Sequence, residues 1–217
     1  MIDFATQRRI MVDTQVRPSD VTSFDIIEAM LEVPRELFVP DNLRQAAYAG
    51  ETLEIAKGRY LLEPRTFAKM LEALDIGPDE LVLDLAVGLG YSSAVIARLA
   101  EAVVAVEADP ELAAEAQRIL SQTGADNVAV ITAEPASGAP RHGPYDAVII
   151  EGGVEEIPAA LVDQLKEGGR ICAIFMDGEY GECRVGHKRA GVLAWRPVFH
   201  AAAPVLAGFE RQPEFAL

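Results

Sequence analysis

Short apolar runs alternate with stretches of helical periodicity through the last two-thirds of this 217-residue chain. From Gly77 onward the runs read "LVLDL", "VVAVEA", "VAVIT", "DAVII" and "RICAIF", and "SSAVIARL", "PELAAEAQRIL" and "IPAALVDQL" stand between them. Near-continuous Val, Ile and Leu marks strands buried on both faces, and their alternation with helices implies right-handed crossovers in a parallel sheet. The pattern predicts an α/β core over residues 76–217. Beyond Gly178 two extended stretches flank Ala190 and Gly191, a turn signal that predicts a terminal antiparallel hairpin on the sheet edge.

The first 75 residues carry a different period. Ile26, Ile27, Met30 and Leu31 share a helical face behind a cap expected at Thr22, with Asp25 three residues on, and Pro34 ends that helix. Phe67, Met70, Leu71 and Leu74 repeat the pattern. Residues 1–75 are expected to be mainly helical, with an irregular connection near "GETLEIAKGRYLLEP" and strands only after it. No repeat or low-complexity linker separates the two parts, so one compact unit is expected.

Composition removes several function classes. Thirty-four acidic against nineteen basic residues give a formal charge of -15, which repels a phosphate backbone and an anionic membrane surface. Neither nucleic acid nor membrane is an expected partner. Cys172 and Cys183 are too few for a disulfide framework or a cysteine-rich zinc site and read as free thiols. His142, His187 and His200 have no ligand spacing, and no metal is expected. The start "MIDFATQRRIMVDTQ" lacks the unbroken apolar stretch of a secretory signal, and no later run reaches the length of a membrane span. A cytoplasmic setting is expected.

The chemistry gathers at "LVLDLAVGLGYSSAVIARLA", Leu81 to Ala100. Ligands of open parallel sheets settle at the carboxyl ends of the strands, and the first strand-to-helix turn is the usual place. Gly88 and Gly90 let backbone approach a ligand there, ahead of the free amides of a helix N-terminus. The next strand ends at Glu107, where a carboxylate can accept hydrogen bonds from both ribose hydroxyls of an adenosine ligand. Asp109 reads instead as the head of a helix beginning near Pro110. Glu134 follows the third strand, placed for an adenine amino group or as a surface residue.

Two cofactor classes fit this turn. A nicotinamide dinucleotide wants a third glycine, where this chain has Ser93. S-adenosylmethionine has no phosphate to cradle, and its sulfonium and ammonium favour an acid such as Asp84 at the end of the first strand. The sequence leans to S-adenosylmethionine.

With these residues in view the chain resembles the protein-L-isoaspartate O-methyltransferase family over most of its length. The segments "AMLEVPRELFVP" (29–40), "AYAGETLEI" (47–55), "GRYLLEP" (58–64), the glycine turn, "PYDAVII" (144–150) and "IPAALVDQLKEGGR" (157–170) follow that family's order. The resemblance implies a Rossmann-like, seven-stranded class I methyltransferase sheet with a terminal hairpin and a helical N-terminal region covering the cofactor. It implies methylation of the free carboxylate of L-isoaspartyl residues in damaged proteins. The ester is a better electrophile, so the adjacent backbone amide closes a succinimide that reopens partly as aspartate, which is repair. By matching positions Asp84, Ala86, Gly88, Gly90 and Glu107 inherit cofactor-binding roles, Tyr91 and Ser92 line the turn, and Glu134 stands for an adenine-contacting aspartate.

The chain also departs from that pattern. "GRYLLEP" replaces Gly-Gln-Thr-Ile-Ser-x-Pro, so Tyr60 and Leu62 stand where the family has hydroxyls near the substrate carboxylate. Ala86 takes the place of the turn's first glycine, which a negative φ would allow. "AEP" replaces Gly-Asp-Gly at 133–135, and "IEGG" replaces Val-Thr-Ala-Ala at 150–153. The new acid, Glu151, is expected to start a helix and complement its dipole, with a general base or a cation-binding group as alternatives. Arg59 and Arg65 flank the altered loop as partners for a carboxylate or as solvent-facing ends. The leading expectation is a carboxyl methyltransferase using S-adenosylmethionine. The alternatives are a cofactor-binding sensor without catalysis, or a small-molecule methyltransferase exploiting Tyr60 and Glu151.

Overall fold

The computed structural model describes residues 3–211. Its N-terminal part contains α1 (Phe4–Met11), which runs on into a π-helical turn at Val12–Val16, then α2 (Phe24–Glu32) and α3 (Pro64–Leu74). Ser23, not Thr22, caps α2, accepting from the Ile26 amide at 3.4 Å. The reason lies across the fold. Thr22 gives its hydroxyl to Glu72 of α3 at 2.7 Å, and the same carboxylate also accepts from the Thr22 and Ser23 amides. Helix α2 ends at Glu32 because Val33, which precedes Pro34, is extended.

Strands do occur before residue 75. A hairpin of β1 (Leu53–Ala56) and β2 (Arg59–Leu61) fills the segment expected to be irregular. Leu53 and Ile55 are buried on one side while Glu54 is exposed, a period-two pattern too short to stand out from its neighbours.

The main sheet has seven strands: β3 (Leu81–Leu85), β4 (Ala102–Glu107), β5 (Val128–Thr132), β6 (Tyr145–Val154), β7 (Leu165–Asp177), β8 (Tyr180–Arg189) and β9 (Val192–His200). Their order is β5-β4-β3-β6-β7-β8-β9, with the first five parallel and β8 and β9 antiparallel. Helices α4 (Tyr91–Ile96), α5 (Pro110–Gln122) and α6 (Ala159–Asp163) lie in the connections. The terminal hairpin turns at Ala190 and Gly191, both with positive φ, as a two-residue hairpin turn requires. The sheet order reverses between β3 and β6, and the crevice above their carboxyl ends is the natural ligand position of such folds.

Both faces of the sheet are buried, which explains the unbroken apolar runs. Val82, Val103, Ile149 and Cys172 pack on one side in the same cluster as Met11, Met30, Phe67 and Leu71 of the N-terminal helices. Leu83, Leu85, Val106 and Ile150 face the other side with Leu161, Leu206 and Phe209. Cys172 and Cys183 are buried free thiols whose sulfurs meet at 3.4 Å. Among the described residues no helix is long and apolar enough to cross a membrane.

The chain after β9 returns to the end of β6, where Gly153 donates to Pro204 at 2.8 Å and accepts from Leu206 at 2.9 Å. A Cβ on Gly153 would collide with the carbonyl oxygen of Ala203. The Gly152–Gly153 pair is therefore the condition for this return path. Ala86 is a correction of another kind: its φ is +63°, not negative. A Cβ in the left-handed region costs about 1–2 kcal/mol, and the turn retains Ala86 with its amide bonded to Val106 at 2.9 Å. Ala86→Gly is expected to raise the unfolding free energy by about 1 kcal/mol. Urea denaturation measures this, and a loss of stability would contradict the strained turn.

Candidate functional site

Glu107 closes β4 with its side chain fully buried. A carboxylate removed from water needs strong partners, and this one has three. One oxygen accepts from the Gly88 amide at 2.9 Å, the other from the Asp109 amide at 3.0 Å, and Arg59 Nε reaches both at 2.8 Å. Arg59 stands on β2, so the small hairpin lies over the glycine turn. The Cδ1 of Ile55 sits 2.6 Å from where a Cβ on Gly88 would be. A side chain here would displace the end of Ile55 and strain a backbone whose φ is +54°. Of the two arginines flanking the altered loop, Arg59 spends its charge on Glu107 and Arg65 is exposed.

Asp84, one strand over, is fully buried and accepts from Ser92 Oγ at 2.7 Å and Ser93 Oγ at 2.6 Å, both on one oxygen. Its other oxygen has no partner. Burial pushes this carboxyl up to about 7 despite the two hydroxyl donors. Ser93, which stands where a dinucleotide turn would have its last glycine, has a role here that sequence reasoning missed. Gly90 takes a left-handed conformation as the cap of α4.

Tyr91 does not present its ring to solvent at the turn. It is buried edge-on against Phe38 at 5.8 Å and tilted against Phe67 at 5.7 Å, with the Arg35 guanidinium 4.7 Å from its centroid. Arg35 is fully buried and donates to the Ala47 carbonyl at 2.6 Å and the Leu62 carbonyl at 2.7 Å. No candidate role was assigned to Arg35 from sequence, although the Val-Pro-Arg-Glu segment that contains it was the signal available. Leu62 is buried, and its side chain offers only hydrocarbon to this region.

Glu151 is not a helix-start acid. It lies inside β6, eight residues before α6 begins at Ala159, and its side chain is buried. Burial raises its carboxyl well above the ordinary value, the Asp84 charge raises it further, and Arg35 opposes both. The strand pairing accounts for this placement, since Leu85 of β3 is opposite Ile150 and Glu151 follows at the same sheet edge. Glu134 is exposed just before a 3-10 turn at Pro135–Ser137. The histidines are dispersed, with His200 Nδ1 at 2.8 Å from the Tyr180 hydroxyl, and no three potential metal ligands converge among the described residues.

The structure thus brings Asp84, Gly88, Gly90, Tyr91, Ser92 and Glu107 to one edge, with Arg35, Arg59, Ser93 and Glu151 added, and leaves Glu134 at the surface. A family model described as protein-L-isoaspartate (D-aspartate) O-methyltransferase matches residues 7–191. A protein-L-isoaspartate O-methyltransferase of Methanoculleus marisnigri is 37% identical over 167 residues, covering 77% of this chain and 76% of the relative. A second, from Marinobacter nauticus, is 41% identical over 169 residues, covering 78% and 77%. A solved protein-L-isoaspartate O-methyltransferase superposes with a TM-score of 0.78 at 24% identity, covering 95% of this chain and 66% of that one. A Plasmodium falciparum structure in complex with S-adenosyl-L-homocysteine gives 0.79 at 18% identity, covering 92% and 97%.

The raised Asp84 carboxyl has a consequence for stability. The folded protein holds this proton more tightly than the unfolded chain, so the group's contribution is full below pH 3.8 and is lost as the pH rises to about 7. Asp84→Asn is expected to gain stability relative to the unaltered protein as the pH climbs through that window. Denaturation midpoints on either side of it measure this, and a gain that shrinks with rising pH would count against the assignment.

Proposed function

Since the chain belongs to the protein-L-isoaspartate O-methyltransferase family, we propose that it methylates the free carboxylate of L-isoaspartyl residues in damaged proteins, with S-adenosylmethionine as donor. The observation that carries this reading is the buried Glu107 carboxylate closing β4 beside the Gly88 turn, at the reversal of the sheet order. Asp84, Ala86, Gly88, Gly90, Tyr91, Ser92 and Glu107 are the cofactor-binding residues in this proposal, with Glu134 at the adenine end. Residues 1–75 act as the cover and residues 76–217 as the binding core, of which 1–2 and 212–217 lie outside the described residues. The buried free thiols Cys172 and Cys183 suit a reducing, cytoplasmic setting.

The residues present fit the cofactor on two counts. Asp84 keeps one buried oxygen without a partner, which suits an ammonium, and Glu107 has the acceptor oxygens that a ribose diol needs. Arg59 holds those oxygens here, so a ribose diol would have to displace the Arg59 side chain. When bound, S-adenosylmethionine would supply an electrophilic methyl, with Asp84 holding its ammonium and Glu107 its ribose. A carboxylate is already nucleophilic, so the chain's task is alignment and exclusion of water. The cluster of Phe38, Phe67, Tyr91 and Leu62 provides that dry wall.

Labelled methyl is expected to pass to an isoaspartyl peptide and not to the matching aspartyl peptide. Equal labelling of the two, in protein that binds S-adenosylhomocysteine, would remove the repair reading. Arg59→Ala is expected to tighten S-adenosylhomocysteine binding about tenfold, because about 1.4 kcal/mol of the Arg59–Glu107 pair no longer has to be broken. Calorimetric titration measures it, and weaker binding would show that Arg59 holds the cofactor instead of competing with it.

A further inference from the structure

Four buried polar atoms from four separate elements have no hydrogen-bond partner: Arg35 Nη1, Asp84 Oδ1, Tyr91 Oη and Glu151 Oε1. They belong to one neighbourhood. The Arg35 guanidinium lies 4.7 Å from the Tyr91 ring centroid, and the register that sets Asp84 opposite Ile149 and Leu85 opposite Ile150 brings Glu151 to the adjoining strand end. Buried polar groups are almost always paired, so four unpaired atoms on these adjoining elements point to an occupant.

The two acids in this group are not equivalent. Asp84 receives two seryl hydroxyls, while Glu151 receives no hydrogen bond. Two carboxylates sharing a dry region do not both ionise, and the negative charge stays where donors hold it. Above about pH 7 Asp84 therefore carries the charge while Glu151, raised well above an ordinary carboxyl, keeps the proton. Three of the four unpaired atoms are then donors, namely Arg35 Nη1, Tyr91 Oη and the Glu151 carboxyl. Leu62, whose carbonyl binds Arg35 from behind, adds no polar side-chain group.

We propose that Glu151 is an acceptor-binding residue whose carboxyl O–H, together with Arg35 Nη1 and Tyr91 Oη, donates to the substrate carboxylate that receives the methyl group. This rests on the carboxyl-methylation reading above and names the donors that replace a hydroxyl at position 62. It also assigns Asp84 Oδ1 to the cationic end of the cofactor. The acceptor must stay ionised to be nucleophilic, so the proton has to remain on Glu151. Burial and the Asp84 charge, which hold Glu151 well above an ordinary carboxyl, ensure that it does. Once Glu151 ionises, it repels the acceptor. Its electrostatic neighbours are Asp84 on β3, Arg35 before the hairpin, Tyr91 on α4 and the Cys172 thiol on β7.

Glu151→Gln keeps an N–H donor and removes the titration. It is expected to hold kcat/KM for an isoaspartyl peptide within about fivefold and to lose the fall at high pH shown by the unaltered protein. Glu151→Ala is expected to raise the peptide KM about thirtyfold with S-adenosylhomocysteine affinity unchanged, and Leu62→Ser in that background to recover much of the loss. Infrared difference spectra of the unaltered protein against Glu151→Gln are expected to show a protonated-carboxyl stretch at neutral pH. That reading needs no turnover, so a protein that failed to methylate the peptide would sink the repair reading while Glu151 was still decided. An ionised Glu151 in those spectra, an unchanged pH profile in Glu151→Gln, or a loss in Glu151→Ala that falls on cofactor affinity overturns the proposal.

Discussion

The Glu107 carboxylate organises the ligand edge of this protein. Buried without exposure, it holds the glycine turn through Gly88, the approach to α5 through Asp109, and the β1–β2 hairpin through Arg59. Its desolvation would be strongly unfavourable if any large share of those donors were missing. Arg59 supplies the only formal positive charge among them. Under the proposed reading an adenosine ligand competes with Arg59 for that carboxylate.

The second constraint is Arg35. A fully buried guanidinium ties the Ala47 and Leu62 carbonyls together and stacks on Tyr91, so the loop that bears the hairpin is anchored to the helix that follows the glycine turn. Phe38 and Phe67 complete the packing around that ring. The N-terminal helices and the sheet therefore share one apolar cluster and a few polar anchors, Glu72 with Thr22 among them. Arg170 of β7 adds another by bonding the Leu74 and Asp75 carbonyls and Glu80.

Departures from the family pattern have separate physical explanations. Gly152 and Gly153 admit the returning C-terminal segment, and a side chain at Gly153 has no space. Ala86 keeps a left-handed backbone that glycine would adopt without strain. Ser93 gives up nothing by not being glycine, because its hydroxyl holds Asp84. Leu62 and Glu151 depart in opposite senses: one position loses a donor and the other introduces a buried carboxyl.

Local periodicity and chain order determined much of this protein. The five parallel strands, the terminal turn at Ala190–Gly191, the apolar faces of α2 and α3, and the positions of Asp84 and Glu107 at strand ends were all legible, because each depends on residues close in sequence. Tertiary structure decided the rest. Arg59 meets Glu107 across 48 residues, and Thr22 is drawn from its capping position by a carboxylate 50 residues away. The φ of Ala86, the burial of Glu151 within β6 and the short β1–β2 pairing follow from strand register and from what packs above each residue. A hydrophobic pattern reports which face is buried. It does not report which distant charge or carbonyl that face will meet.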